Sequence, residues 1–313
     1  MEHYITIFDS NFLPQGLALH SSLKRHAGPF TLWVVCMDQR AADVLTGLAH
    51  PEIRPIPLAE VETPELLAVK AGRSRAEYCW TLTPHAPKWV FERDPTAQRA
   101  TYVDADLFLM KSPSPVFAEL EASGKSVLIT EHAYDAEFDK SEESGRFCVQ
   151  FMVFDRVGGE PVRRWWEERC MEWCFARSED GKFGDQKYLD DWPVRFADQV
   201  HVLGKLDAFM APWNARRFPY SGAIAWHFHD LRLLGPDKVR LQRGYRLPEC
   251  VRRHVYGPYV TELRRATDRI GFSVVQAQAP DLRARIMSPL KEVYLNLLQI
   301  YRQRAGDVVE LRR

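Results

Sequence analysis

The first 36 residues restrict the fold most, because a strand, a helix and a second strand follow one another with little between them. Tyr4-Ile5-Thr6-Ile7-Phe8 is β-branched and aromatic, Gln15 to His26 carries Leu17, Leu19 and Leu23, and Phe30 to Cys36 is again apolar and β-rich. Two neighbouring strands joined through a helix lie parallel, so the chain reads as α/β with a mainly parallel sheet flanked by helices. Open sheets of this kind bind ligands at the carboxyl ends of their strands.

Composition narrows the class further. The 313 residues are 46% hydrophobic and 27% charged, which suits a large buried core and excludes disorder and small disulfide scaffolds. The 42 Lys and Arg balance 42 Asp and Glu, but unevenly: residues 1–200 hold 22 against 32, and residues 201–313 hold 20 against 10. Zero net charge gives no bulk attraction to nucleic acid, and no nucleic-acid partner is expected. Six cysteines without a C-x-x-C pair read as reduced thiols, and Met1-Glu2-His3-Tyr4 has no basic n-region or apolar h-region. A cytoplasmic location is therefore expected, with the Arg-rich C-terminal part offering a peripheral contact to an anionic membrane face.

Further along, a helix is expected from about Arg73, strands at Ser126–Thr130 and Val149–Asp155, a helix at Val162–Ala176 and a short helix at Asp185–Asp191. Ala223–Phe228 reads as a strand ending in His229, and Lys291–Gln303 as an amphipathic helix. Trp166, Cys170, Trp173 and Cys174 share one helical face, an aromatic core stripe rather than a metal site. The texture divides the chain into residues 1–234 and an Arg-rich helical extension over 235–313.

The chemistry centres on Tyr102-Val103-Asp104-Ala105-Asp106-Leu107, two carboxylates breaking an apolar run. Buried strands do not hold unpaired acids, so the pair belongs at a strand end, where it suits a divalent cation. His227 and His229, projecting from one face of a strand, add imidazole to the carboxylates, an O/N set that suits Mn²⁺ or Mg²⁺ with a phosphate-bearing ligand.

An ordered set of segments then resembles a known family: Ile5 to Phe12, Leu17 to Leu23, Tyr102 to Asp106, Gly184-Asp185-Gln186-Lys187-Tyr188-Leu189, Trp213-Asn214 and His227-Phe228. Over residues 3–232 the chain is similar to the GT-A glycosyltransferases of the family 8 type, which include glycogenin and bacterial lipopolysaccharide galactosyltransferases. The resemblance implies a GT-A fold and a metal-dependent transfer of a hexose from a nucleotide diphosphate sugar, a UDP-sugar first, with retention. The acceptor would be a glycan, a lipid-linked saccharide or another hydroxyl.

Position by position, it implies that Phe8, Asp9 and Asn11 lie against the nucleoside, and that Asp104-Ala105-Asp106 lies at the pyrophosphate. Asp104, Asp106 and His227 would hold Mn²⁺ or Mg²⁺. Asp185 and Gln186 would border the transferred sugar as catalytic residues, with Asn214 in the same pocket. Three segments depart from the family pattern. Trp80 stands where an Arg is common, leaving Lys70, Arg73 or, favoured here, Arg75 for donor contacts. Cys148 to Met152 replaces a small Gly-containing segment. Asp230 stands in place of a Gly with no Lys following, which leaves Arg232 or His229 for the phosphate role. Two other readings are a haloacid-dehalogenase-like phosphatase, which also uses D-x-D after a strand, and a non-catalytic sugar-nucleotide or glycan-binding protein.

Overall fold

The computed structural model describes residues 1–235, 238–271 and 308–311. The opening unit is β1 (Glu2–Phe8), α1 (Leu13–His26), β2 (Phe30–Cys36), α2 (Gln39–Leu48) and β3 (Ile53–Pro57). β1 and β2 are buried almost throughout, which explains their unbroken apolar runs. β4 (Arg99–Val103), β5 (Leu107–Leu109), β6 (Val127–Glu131), β7 (Phe147–Asp155) and β8 (Val200–Val202) follow, interleaved with helices that include Arg75–Leu82 and Glu160–Glu172. Among the described residues the main sheet has the order β3-β2-β1-β4-β7-β6-β8. Every strand in it runs one way except β7, which is antiparallel to β4 and β6.

A second small sheet positions the site. β9 (Phe209–Met210) and β10 (Ala225–His227) join β5, with β10 antiparallel to β5 and His227 opposite Leu107. A third sheet comprises β11 (Arg232–Leu233), β12 (Lys238–Arg240) and β13 (Val308–Glu310). The described part of 235–313 thus holds strands as well as the helix Gly257–Ile270. That helix packs on α1, where Ser21 Oγ donates to Glu262 Oε2 at 2.9 Å and Arg25 pairs with Glu262. The expected helix at Lys291–Gln303 lies outside the described residues.

Two expectations are corrected. The helix read over 162–176 ends at Glu172, because Trp173 is extended (φ −152°) and its carbonyl accepts from the Tyr188 hydroxyl instead of continuing the helix. Trp166 and Cys170 are core residues of that helix, while Cys174 is buried from the loop after it. The strand at 225 ends at His227, so His229 lies in the turn beyond it, where Asp230 takes a left-handed φ of 64°.

The Phe8 ring packs on Gly16 of α1: a β-carbon there would stand 2.5 Å from Phe8 Cζ. Gly16→Ala is expected to destabilise the protein by about 1–3 kcal/mol through overpacking. The check is a lowered urea midpoint at unchanged slope. An unchanged midpoint would mean that the ring yields freely.

Candidate active site

Asp104 follows β4, and the Leu107 N–H donates to its carbonyl at 3.0 Å, closing a tight turn that carries the chain from the main sheet into β5. This turn presents Ala105 buried and turns both acids towards β10. The register of β10 on β5 then places His227 Nε2 3.2 Å from Asp106 Oδ1 and 3.5 Å from Asp104 Oδ2. Ligand atoms of the three residues lie within 4.8 Å of one another. The far nitrogen of the ring, Nδ1, lies 3.0 Å from Gln150 Oε1 on β7, so as the donor it leaves Nε2 facing the acids. The Tyr102 hydroxyl donates to Asp104 Oδ1 at 3.0 Å.

The electrostatics follow from burial. Burial and the neighbouring Asp106 raise the Asp104 carboxyl, although His227 works against them. Burial also pushes Asp106 up, but the His227 charge and hydrogen bond, with Arg232 and His229 behind them, bring it down to about 2. Burial disfavours the His227 imidazolium, yet the two carboxylates hold it well above its usual value. The donor set of two carboxylates and one imidazole on buried walls fits a divalent cation of the Mn²⁺ or Mg²⁺ class.

Asp185 is brought to the same end of the sheet by Gly184, whose φ is 52° and whose α-carbon faces the Trp80 ring. Trp166 Nε1 donates to the Asp185 carbonyl at 2.8 Å. Burial, then the charge of Asp104, raises the Asp185 carboxyl to about 8. Gln186 next to it donates through Nε2 to the Ser144 carbonyl at 2.6 Å.

The expected nucleoside residues lie at the end of β1, beside the end of β2. Asp9 accepts from the Asn11 N–H at 2.9 Å and pairs with Arg75 Nε at 3.1 Å. Arg75 also reaches Asp38 Oδ2 at 2.9 Å, and Asp38 in turn accepts from the N–H groups of Ser10 and Ala41. Lys70 is paired with Glu62, and Arg73 is occupied by Thr81 and the Met171 carbonyl, which leaves Arg75 as the cation of that trio on the strand ends. Phe8 points into the core, as its contact with Gly16 requires.

Asn214 is fully buried: its Oδ1 accepts from the Ala211 N–H and its Nδ2 donates to the His132 carbonyl, so it braces the loop behind His227. Trp213 and His132 complete an aromatic wall, with Trp213 edge-on to His227 at 5.3 Å and to His229 at 5.4 Å, and Tyr134 stacked on His132 at 4.6 Å. His229 is part-exposed on this wall, and burial together with the His227 charge lowers it to about 4. The Arg232 guanidinium lies over the Phe12 ring at 5.0 Å, on the Asp106 side of the site.

Asp38, Gln150 and Tyr102 touch Arg75, His227 and Asp104 respectively and are not among the expected site residues. Signals for two of them were present: Asp38 follows its strand as Asp9 follows β1, and Gln150 is the polar residue inside an apolar strand.

No protein family's sequence profile matches the chain. It is 34% identical to the uncharacterized protein YfnF of Bacillus subtilis (strain 168) over 283 residues, covering 84% of this chain and 90% of YfnF. Among solved structures, it is similar to the apo form of the glycosyltransferase GlyE of Streptococcus pneumoniae TIGR4 (TM-score 0.52, 15% identity), covering 88% of this chain and 66% of that one. It is also similar to the galactosyltransferase LgtC in complex with donor and acceptor sugar analogs (TM-score 0.50, 12% identity, 88% and 98% covered).

Proposed function

We propose a function from two premises: the chain belongs to the same family as YfnF of Bacillus subtilis, and its fold is the GT-A fold. It is a glycosyltransferase of the family 8 type that moves a hexose from a nucleotide diphosphate sugar, a UDP-sugar first, to a glycan or lipid-linked acceptor, with retention. The observation that carries this reading is the convergence of Asp104, Asp106 and His227 at the carboxyl end of β4, with Asp185 raised to about 8 nearby.

In this reading Asp104, Asp106 and His227 hold Mn²⁺ or Mg²⁺, and Gln150 fixes the tautomer of His227. The cation, when bound, supplies a Lewis acid for the charge developing on the leaving diphosphate. Arg232 and His229 add charge-assisted hydrogen bonds to the phosphate oxygens. Asp9 and Asn11 meet the nucleoside and Arg75 the donor. Asp185 and Gln186 border the sugar and orient the acceptor hydroxyl near the anomeric carbon, which is a positioning task. Asn214 serves that pocket through the loop it braces. Residues 1–234 carry the catalysis, and residues 235–313 lend basic charge for contact with an anionic membrane face. Among the described residues no helix is long and apolar enough to cross a membrane.

The test is incubation with a panel of nucleotide sugars and Mn²⁺ or Mg²⁺, scoring hydrolysis as well as transfer. Release of a nucleoside diphosphate that requires the metal is expected, with the α or β configuration of the donor kept in the product. Stabilisation by UDP without turnover of any donor would favour a non-catalytic binding protein. No response to any nucleotide would remove the proposal.

A further inference from the structure

A second cluster of metal-ligating side chains lies at the opposite end of the parallel strands. His20 is on α1, His50 follows the left-handed Ala49 (φ 49°) that ends α2, and Glu52 precedes β3. The Glu52 carbonyl accepts from the Leu32 N–H, which fixes this turn against the start of β2. Ligand atoms of the three residues lie within 4.8 Å of one another. His20 Nε2 is 3.3 Å from Glu52 Oε2, and the two imidazole rings are 4.6 Å apart.

An ordinary His–Glu hydrogen bond does not account for all of this. His50 Nε2 is buried and has no hydrogen-bond partner. An orphaned buried polar atom costs about 1–3 kcal/mol. Two ligands at zinc distances on one tetrahedral ion are about 3.3 Å apart, which is the His20–Glu52 separation found here. Glu52 uses its other oxygen, Oε1, for Lys24 at 3.2 Å, so Oε2 has His20 as its partner and an ion between the two would take the place of their hydrogen bond. Burial and then His50 lower His20 to about 4, while burial and then the charge of Arg269 lower His50. Two imidazoles and one carboxylate form a borderline donor set, suited to zinc and its neighbours rather than to Mg²⁺. His50 and Glu52 are part-exposed, which gives an ion a way in.

We propose that His20, His50 and Glu52 bind a zinc-class divalent ion, distinct from the cation of the Asp104 site, and that the ion ties α1 to the turn between α2 and β3. The ion is structural: it joins segments and takes no part in transfer.

The test uses the chelator-treated full chain carrying Asp104→Asn and Asp106→Asn, titrated with Zn²⁺ in competition with a chromophoric chelator. One equivalent of Zn²⁺ is expected to bind and to raise the melting temperature, with Mn²⁺ a poor competitor. His50→Gln and Glu52→Gln, each added separately, are expected to weaken Zn²⁺ about tenfold or more and to remove the thermal gain. Metal-free melting and circular dichroism of each variant verify its fold, and either variant alone suffices if the other fails to fold. Failure to bind one equivalent, or binding unchanged in both variants, would overturn the proposal.

Discussion

Substitution Asp106→Asn is expected to lower metal-dependent turnover of the nucleotide sugar by a factor on the order of a hundred to a thousand, the scale for losing one preorganised charge-stabilising group. Burial works against the Asp106 carboxylate, but the charge and hydrogen bond of His227, with Arg232 behind them, hold it down at about 2, so it is ionised at neutral pH and available to a cation. The fold is expected to persist, because Asp104 Oδ2 still lies 3.5 Å from His227. A binding measurement separates these effects. UDP with Mn²⁺ at about a hundred times its dissociation constant adds roughly 2.7 kcal/mol to the stability of the native protein. For a chain of 313 residues that is a rise of roughly 4 °C in melting temperature, absent from the variant. Gln150→Leu should show the same loss more weakly, about ten- to a hundredfold in metal affinity, since it removes the partner that orients His227. Full turnover in Asp106→Asn would sink the assignment.

Acid should destabilise the protein well above the range in which carboxylates titrate. Burial lowers His20 and His85 to about 4 and His132 to about 3, from an unfolded value of 6.5. A folded-state value below the unfolded one means that the unfolded chain takes up protons first. The stability tied to each neutral ring is therefore full above pH 6.5 and is lost as the pH falls through 6.5 towards 4. Between pH 7 and pH 5 this amounts to about 2 kcal/mol per ring, or roughly 6 for the three. Asp185 works in the opposite direction: its folded value of about 8 lies above the unfolded 3.8, so acid favours the folded state there by about 3 kcal/mol over the same interval. The histidines outweigh it. Urea unfolding at pH 7 and pH 5 reads the difference, and His85→Asn should reduce it by about 2 kcal/mol. An unchanged difference in that variant would show that His85 is not held neutral.

What could be read beforehand was local. The strand–helix–strand opening and the acids at the end of an apolar run declare themselves through local patterns, and the structure has them where expected, whereas the strand carrying His227 is shorter than its apolar run. The remainder depends on which strand lies beside which. β7 runs against its neighbours and so brings Gln150 behind His227, a pairing that no local pattern encodes. Arg75 is one of three basic residues within six positions, and its two acidic partners come from the ends of different strands. Phe8 is an apolar residue at a strand end, a pattern compatible with a ring facing a ligand or the core. The bare α-carbon of Gly16 resolves it towards the core. Asn214 has the residue type of a sugar contact, yet its amide is occupied by backbone groups that only the folded loop supplies.

The meeting of α1 with the helix Gly257–Ile270 bears on how the protein comes into being. Ser21 and Glu262 are 241 residues apart, and Ala18 shares a buried cluster with Trp226, Phe228 and Tyr259, whose ring is stacked on Phe228 at 3.6 Å. A nascent chain that has emerged only as far as residue 250 already contains both acids and His227, but not the helix that braces the strand bearing that histidine. Contacts of such long range close slowly and late. The strand bearing His227 thus gains this support only once the helix Gly257–Ile270 has been made, and a polypeptide without that helix has the cation ligands but lacks the packing behind one of them.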